Sequence, residues 1–196
     1  MSLLLPVLVR GINNLSDARY CAGMGADGLI FTLDPSLPGA VDAATVKELA
    51  GWVAGVEIIG EFGGEMPVSE INRLVEECSL SRIVLNLPAA GLVPNGPVAV
   101  PALVELPQPA GADSLQQLRT ALTAGFELIT RLDETALPAS AGRQSLWLSG
   151  NPAPNQVAEL IERQQPAGLI LQGGDEIKPG IRDFDELEAL FEALEE

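Results

Sequence analysis

The stretch LWLSGNPAPNQVAELIERQQPAGLILQGGDEIKPGIRD, residues 146–183, decides the fold. Leu146–Leu148 and Gly168–Leu171 are short apolar runs that each end in a glycine-containing turn. The first turn is Ser149-Gly150-Asn151 and the second is Gln172-Gly173-Gly174. Between them Val157, Leu160 and Ile161 recur at helical spacing. The pattern predicts strand, loop, helix, strand, loop, helix. Small residues after neighbouring parallel strands let backbone N–H groups approach an anion closely. Gly150, Asn151, Gly173 and Gly174 are therefore candidate phosphate-binding residues. The plainer reading of all four is turn chemistry, since Asn also tolerates the left-handed conformation.

The same alternation runs back to the start of the chain. Strands are predicted over Leu3–Val9, Gly28–Leu33, Val56–Phe62, Arg82–Leu87, Val98–Leu106 and Phe126–Leu132. Helices are predicted over Ser16–Met24, with Ser16 as N-cap, then from a cap at Asp42 to Trp52, over Val68–Cys78 and over Ser114–Thr123. The connection Pro88–Pro97 is too short and too rich in Pro and Gly for a full helix, and Asp133–Gln144 reads as a loop or a stub of a helix. Eight strands alternating with helical connections predict an α/β fold, a single (β/α)8 TIM-type barrel over residues 1–196 with shortened connections after strands 4 and 6. An open doubly wound sheet is the alternative. In an eightfold barrel the phosphate site is commonly built from the loops after strands 7 and 8, which here are the two glycine turns.

Composition limits the chemistry. Of 196 residues, 47% are hydrophobic, enough for one packed domain. No apolar run reaches membrane-spanning length, and the leader-like features of a targeting segment are absent, so a cytoplasmic protein with no membrane partner is expected. The net charge of −16, with 11 Lys plus Arg, repels polyphosphate backbones and argues against a nucleic-acid partner. An anionic ligand would instead need local N–H groups or a single Arg or Lys. There is no histidine and no CxxC, and Cys21 and Cys78 each fall in a predicted helix. Zinc sites and thiol–imidazole chemistry are thereby excluded, and no metal or other cofactor is expected. Trp52, Trp147 and Phe191 read as packing residues, Asp17 and Asp183 as caps or loop anchors.

Several segments resemble phosphoribosylanthranilate isomerases. SGNPAPNQVAELI (149–161) is similar to that family's AGGLxPxNVxxAI, and QGGDEIKPGIRD (172–183) to its SSGVExxPGxKD, with Pro179, Gly180 and Asp183 identical. LVRGINNLSDA (8–18) resembles KICGITxxEDA, and GADGLIF (25–31) resembles GADxxGFIF. The resemblance implies a barrel, a phosphorylated ligand and a place in tryptophan biosynthesis. It also implies an Amadori rearrangement in which a Cys of the KICGIT motif is the base and an Asp at the end of strand six is the acid.

The departures fall where that chemistry would occur. Arg10 occupies the Cys position, and a guanidinium, protonated at every usable pH, cannot accept the proton. Strand six reads FELITRLDE, with Thr130 or Arg131 in the place of the Asp and Asp133 just beyond. The family's QLHG is VLNL here, so Asn86 replaces His, and its SPR loop is SLPG. Three readings remain open. One is a catalytically impaired relative that binds a phosphorylated small molecule or a partner protein. Another is a working isomerase using Asp133 with Glu61 or Glu105, the two carboxylates at the ends of strands three and five. The third is a structural or interaction barrel, in a partner complex or a homo-oligomer, with its mouth closed by Arg10 and Gln172. Arg10 is expected either to pair with Glu61, Glu105 or Asp133, or to bind an anion at the mouth.

Overall fold

The computed structural model describes residues 3–87, 96–105, 112–132, 145–173, 176–178, 181–182 and 184–195. Eight parallel strands close into a barrel in chain order. They are β1 (Val7–Arg10), β2 (Gly28–Thr32), β3 (Glu57–Gly63), β4 (Arg82–Asn86), β5 (Ala102–Glu105), β6 (Phe126–Arg131), β7 (Leu146–Ser149) and β8 (Gly168–Gln172). Closure is made by β1 against β8, from Val7↔Leu169 to Arg10↔Gln172. Helices α1 (Leu15–Gly23), α2 (Ala43–Ala50), α3 (Val68–Cys78), α4 (Ala112–Ala121), α5 (Val157–Gln164) and α6 (Asp185–Leu194) follow β1, β2, β3, β5, β7 and β8. Between β4 and β5 the described residues contain no helix, while 133–144, between β6 and β7, lie outside them. A two-stranded antiparallel pair, β9 (Glu176–Lys178) and β10 (Ile181–Arg182), sits between β8 and α6.

Alternation of side chains along each strand divides the interior in two. One residue from every strand points inward: Leu8, Ile30, Ile59, Val84, Leu103, Ile129, Trp147 and Ile170 form a separate apolar cluster. The residues between them point outward into a larger core under the helices, with Phe31, Phe62, Ile83, Leu85 and Leu171 fully buried. Helix α3 shows how the outer layer is covered. Ile71, Leu74, Val75 and Cys78 recur at intervals of three and four and are its buried residues. Each such aliphatic side chain stabilises the fold by roughly 1.5–3 kcal/mol on burial. The helix ends where Ser79 turns left-handed at φ 52°.

Two glycines set the packing at the N-terminal end of the barrel. A Cβ on Gly168 would stand 2.2 Å from Cζ3 of Trp147, and one on Gly28 would stand 2.7 Å from Cδ2 of Leu8. The Trp147 ring fills that end, its indole N–H donating to the Glu127 carboxylate. Arg82, paired with Glu57, lies over its face at 5.3 Å.

Three local expectations are corrected. Asn14, and not Ser16, caps α1, its Oδ1 accepting from the Asp17 N–H at 3.0 Å. Asp17 is thus the residue capped and is itself buried. Asn14 wins because it is the last extended residue, where a short side chain reaches the N–H three residues on. Trp52 is 60% exposed. It follows α2 in a turn, beyond the last buried residue of that helix, Leu49. The strand expected from Val98 begins only at Ala102, because Pro101 cannot donate to the ladder, while Leu106 lies outside the described residues. Asp42 caps α2 as expected, accepting from Thr45 N–H at 2.7 Å. Trp147 and Phe191 are buried. Asp183 lies outside the described residues. Among the described residues no helix is long and apolar enough to cross a membrane.

Candidate functional site

Two residues beyond each inward apolar side chain, every strand carries a polar one: Arg10, Thr32, Glu61, Asn86, Glu105, Arg131, Ser149 and Gln172. These eight form a polar ring at the C-terminal ends of the strands, the end at which barrels of this kind carry their sites. A cavity of about 550 Å³ opens over the ring, with Leu37, Pro38 and Leu87 on its β2–β4 side. A second cavity, of about 450 Å³, adjoins it on the β6–β8 side and is lined by Arg10, Arg131, Leu132, Ser149, Gly150, Asn151 and Gln172.

The ring is a connected hydrogen-bond and ion-pair circuit. Arg10 Nε stands 3.3 Å from Glu61 Oε1. Its Nη2 donates to Glu105 Oε2 at 3.0 Å and to Asn86 Oδ1 at 3.5 Å. Asn86 Nδ2 donates to Glu61 Oε1 at 2.6 Å, and the Thr32 hydroxyl donates to Glu61 Oε2 at 3.0 Å. Arg131 Nε donates to Glu105 Oε1 at 2.8 Å. Both oxygens of each carboxylate are therefore engaged. The side chains of Arg10, Glu61 and Glu105 are 13%, 7% and 13% exposed, so this pairing operates in a partly desolvated setting.

Burial works against the charged form of Glu105, but the Arg10 charge and the hydrogen bonds from Arg131 and Arg10 outweigh it. The carboxyl is held below the ordinary range. A carboxyl depressed on folding contributes stability that is full above its unfolded value and lost as pH falls through its folded value. Glu105→Gln is therefore expected to reduce stability at pH 7, with the gap from the parent narrowing toward pH 3, as urea titrations across that range would read. A gap that widened on acidification would contradict the pairing.

The loop after β2 is fixed by Asp34. Its Oδ1 accepts from the Ser36 N–H and hydroxyl at 2.9 and 2.7 Å, and its Oδ2 from the Gly63 N–H at 2.9 Å. Burial opposes ionisation here too, and these hydrogen bonds prevail, lowering the pKa. A Cβ on Gly63 would stand 2.9 Å from that same Oδ2, so glycine is what lets strand β3 approach. The clip sets Leu37 and Pro38 at the cavity rim.

The structure brings Arg10, Glu61 and Glu105 together, Arg10 pairing with both glutamates. Asp133 and Gly174 lie outside the described residues. Gly150 and Asn151 line the second cavity, and Gly150 has φ 135°, which favours glycine. The N–H groups nearby largely turn back into the barrel. Gly150 N–H donates to Ile170 O at 3.0 Å and Gly173 N–H to Arg10 O at 2.9 Å. The Asn151 amide bridges to β8, accepting from Gln172 N–H at 2.8 Å and donating to Gln172 O at 3.4 Å. Sequence reasoning missed Thr32 and Ser149, and it noted Asn86 and Arg131 only as replacements. The signal that finds all four is the polar residue two positions after each strand's inward apolar one. Among the described residues no three His, Cys, Asp or Glu side chains cluster to hold a metal. Cys21 and Cys78 are buried in α1 and α3, away from the ring, and are not joined in a disulfide.

No protein-family model matches the chain. It is 29% identical over 200 residues to the N-(5'-phosphoribosyl)anthranilate isomerase of Deinococcus radiodurans, covering 96% of this chain and 95% of that one. To the enzyme of the same name from Trichormus variabilis it is 27% identical, covering 96% and 97%. The crystal structure of phosphoribosyl anthranilate isomerase from Thermus thermophilus superposes with a TM-score of 0.71 at 24% identity, covering 97% of this chain and 98% of that one. A phosphoribosyl anthranilate isomerase in complex with reduced 1-(o-carboxyphenylamino)-1-deoxyribulose 5-phosphate superposes equally, at 0.71 and 20% identity, with the same coverage. Sequence along nearly the whole chain and the fold together make this protein a homologue of the phosphoribosylanthranilate isomerases.

Proposed function

We propose that this barrel binds a phosphorylated small molecule at its mouth and does not catalyse the isomerisation that gives its relatives their name. The carrying observation is the state of Arg10, which stands where the resemblance places the catalytic Cys and is held between Glu61 and Glu105. A guanidinium in that setting accepts no proton. Neither glutamate substitutes readily for the base, since every carboxylate oxygen already accepts a hydrogen bond or faces Arg10. The anion's counter-charge would be Arg131, 61% exposed at the wall of the second cavity, beside Gly150 and Asn151 at the loops after β7 and β8.

Titration calorimetry with ribose 5-phosphate tests this reading. Saturable heat is expected, with affinity weakened about tenfold or more by Arg131→Ala, the loss typical of a charge-assisted contact. A ligand that binds only the folded state also raises the melting temperature. Neither heat nor stabilisation at millimolar ligand would contradict the proposal.

A second reading is favoured by the full-length similarity to proteins named as isomerases. In it the chain is an active cytoplasmic isomerase of tryptophan biosynthesis that uses Asp133 with Glu61 or Glu105. Its reaction would require Glu61 or Glu105 to leave the present circuit.

A further inference from the structure

We infer that the ligand is a phosphate monoester whose far end is uncharged, and that the mouth rejects one carrying a second anionic group there. The inference rests on the proposed phosphate reading and concerns the opposite side of the same cavity. None of the five segments that follow β1 to β5 contains a Lys or Arg: they read GINN (11–14), LDPSLPGAVD (33–42), GEMP (64–67), LPAAGLVPNGPVAVP (87–101) and LPQPAG (106–111). The cations of the C-terminal loops, Arg143, Lys178 and Arg182, all belong to the segments after β6 and β8. Among the described residues the β1–β5 side of the cavity wall has one cation, Arg10, flanked by two carboxylates, Glu61 and Glu105, the second of which also pairs with Arg131 of β6.

A ligand anchored by its phosphate on the β6–β8 side extends toward that wall. A carboxylate at its far end would meet Glu61 and Glu105, and among the described residues of that wall the cations, Arg10 and Arg131, are already paired with them. Like-charge contact in a partly desolvated cavity is strongly unfavourable. A neutral body meets instead Leu37, Pro38 and Leu87, with hydrogen-bonding partners at Thr32 and Asn86. The surface matches hydroxyl-bearing or apolar groups.

Two probes isolate the charge: reduced 1-(o-carboxyphenylamino)-1-deoxyribulose 5-phosphate, and the same compound with phenyl in place of carboxyphenyl. The phenyl compound is expected to bind about tenfold tighter or more, from the repulsion the carboxylate adds. Leu37→Arg, which places a cation on the rim of the β2 loop, is expected to remove or reverse the preference. Equal affinities, or tighter binding of the carboxyphenyl compound to the parent protein, would overturn the inference while leaving the phosphate reading intact. An unchanged preference in Leu37→Arg would overturn its electrostatic basis. If neither probe nor ribose 5-phosphate binds, the phosphate reading itself has failed and the inference falls with it.

Discussion

Replacing Arg10 with methionine is expected to destabilise the protein by about 3 kcal/mol or more at neutral pH, among the largest effects of any single change at the mouth. Methionine fills much of the same volume, so packing is largely kept. What it removes is, among the described residues, the one charge that faces both Glu61 and Glu105. Two carboxylates with little exposed surface then remain, among the described residues Glu61 with Asn86 and Thr32 and Glu105 with Arg131. Leaving buried charge uncompensated is the costly way to break an ion pair. The loss should shrink on acidification, because a protonated Glu105 no longer needs the guanidinium. Urea denaturation of parent and variant at pH 7 and pH 4 reads both parts. A variant as stable as the parent at pH 7 would show that the circuit is not what holds the mouth together.

Gly168→Ala is expected to cost about 2–3 kcal/mol, the upper part of the usual range for overpacking, and to lower the melting temperature by roughly 4–12 °C. The new methyl would lie 2.2, 2.6 and 2.6 Å from three atoms of the Trp147 ring. That ring is 3% exposed, donates to Glu127 and lies beneath Arg82, so it has nowhere inexpensive to turn. Trp147→Leu removes the clashing atoms. In the Trp147→Leu background the same glycine change should be nearly neutral, giving a coupling energy of about 1–3 kcal/mol between adjacent sites. Additive effects in the thermal melts of the four proteins would contradict a direct contact between ring and methyl.

The barrel was legible because its signals are local. An apolar run of four to seven residues, a small-residue turn and a helical stripe such as Ile71, Leu74 and Val75 all lie within one window. The boundaries that moved did so for equally local reasons, as with Pro101 in the fifth strand and Asn14 two residues before Ser16. The mouth was harder to read. Each strand contributes one residue to the polar ring, so no window holds two of its members, and Arg10 and Glu105 meet only because β1 and β5 face each other across a closed sheet. Arg10 could be flagged from its position, but its partners were three open alternatives until the barrel closed. The glycine turns had the opposite difficulty. Gly150 and Gly173 stand out in the sequence by following apolar runs, yet whether an N–H faces a ligand or a neighbouring carbonyl depends on the register of β7, β8 and β1. Trp52 misled because an apolar residue near a helix end looks like core to any periodic template, although the helix buries only Val46 and Leu49.

Turnover of phosphoribosylanthranilate is the measurement that tests most directly whether this homologue has kept its relatives' reaction. The purified protein is expected to show a rate no greater than that of the spontaneous reaction, alongside saturable binding of ribose 5-phosphate. Turnover well above that background, abolished by Asp133→Asn, would contradict it and would mean that other residues have taken over the work of the missing thiolate.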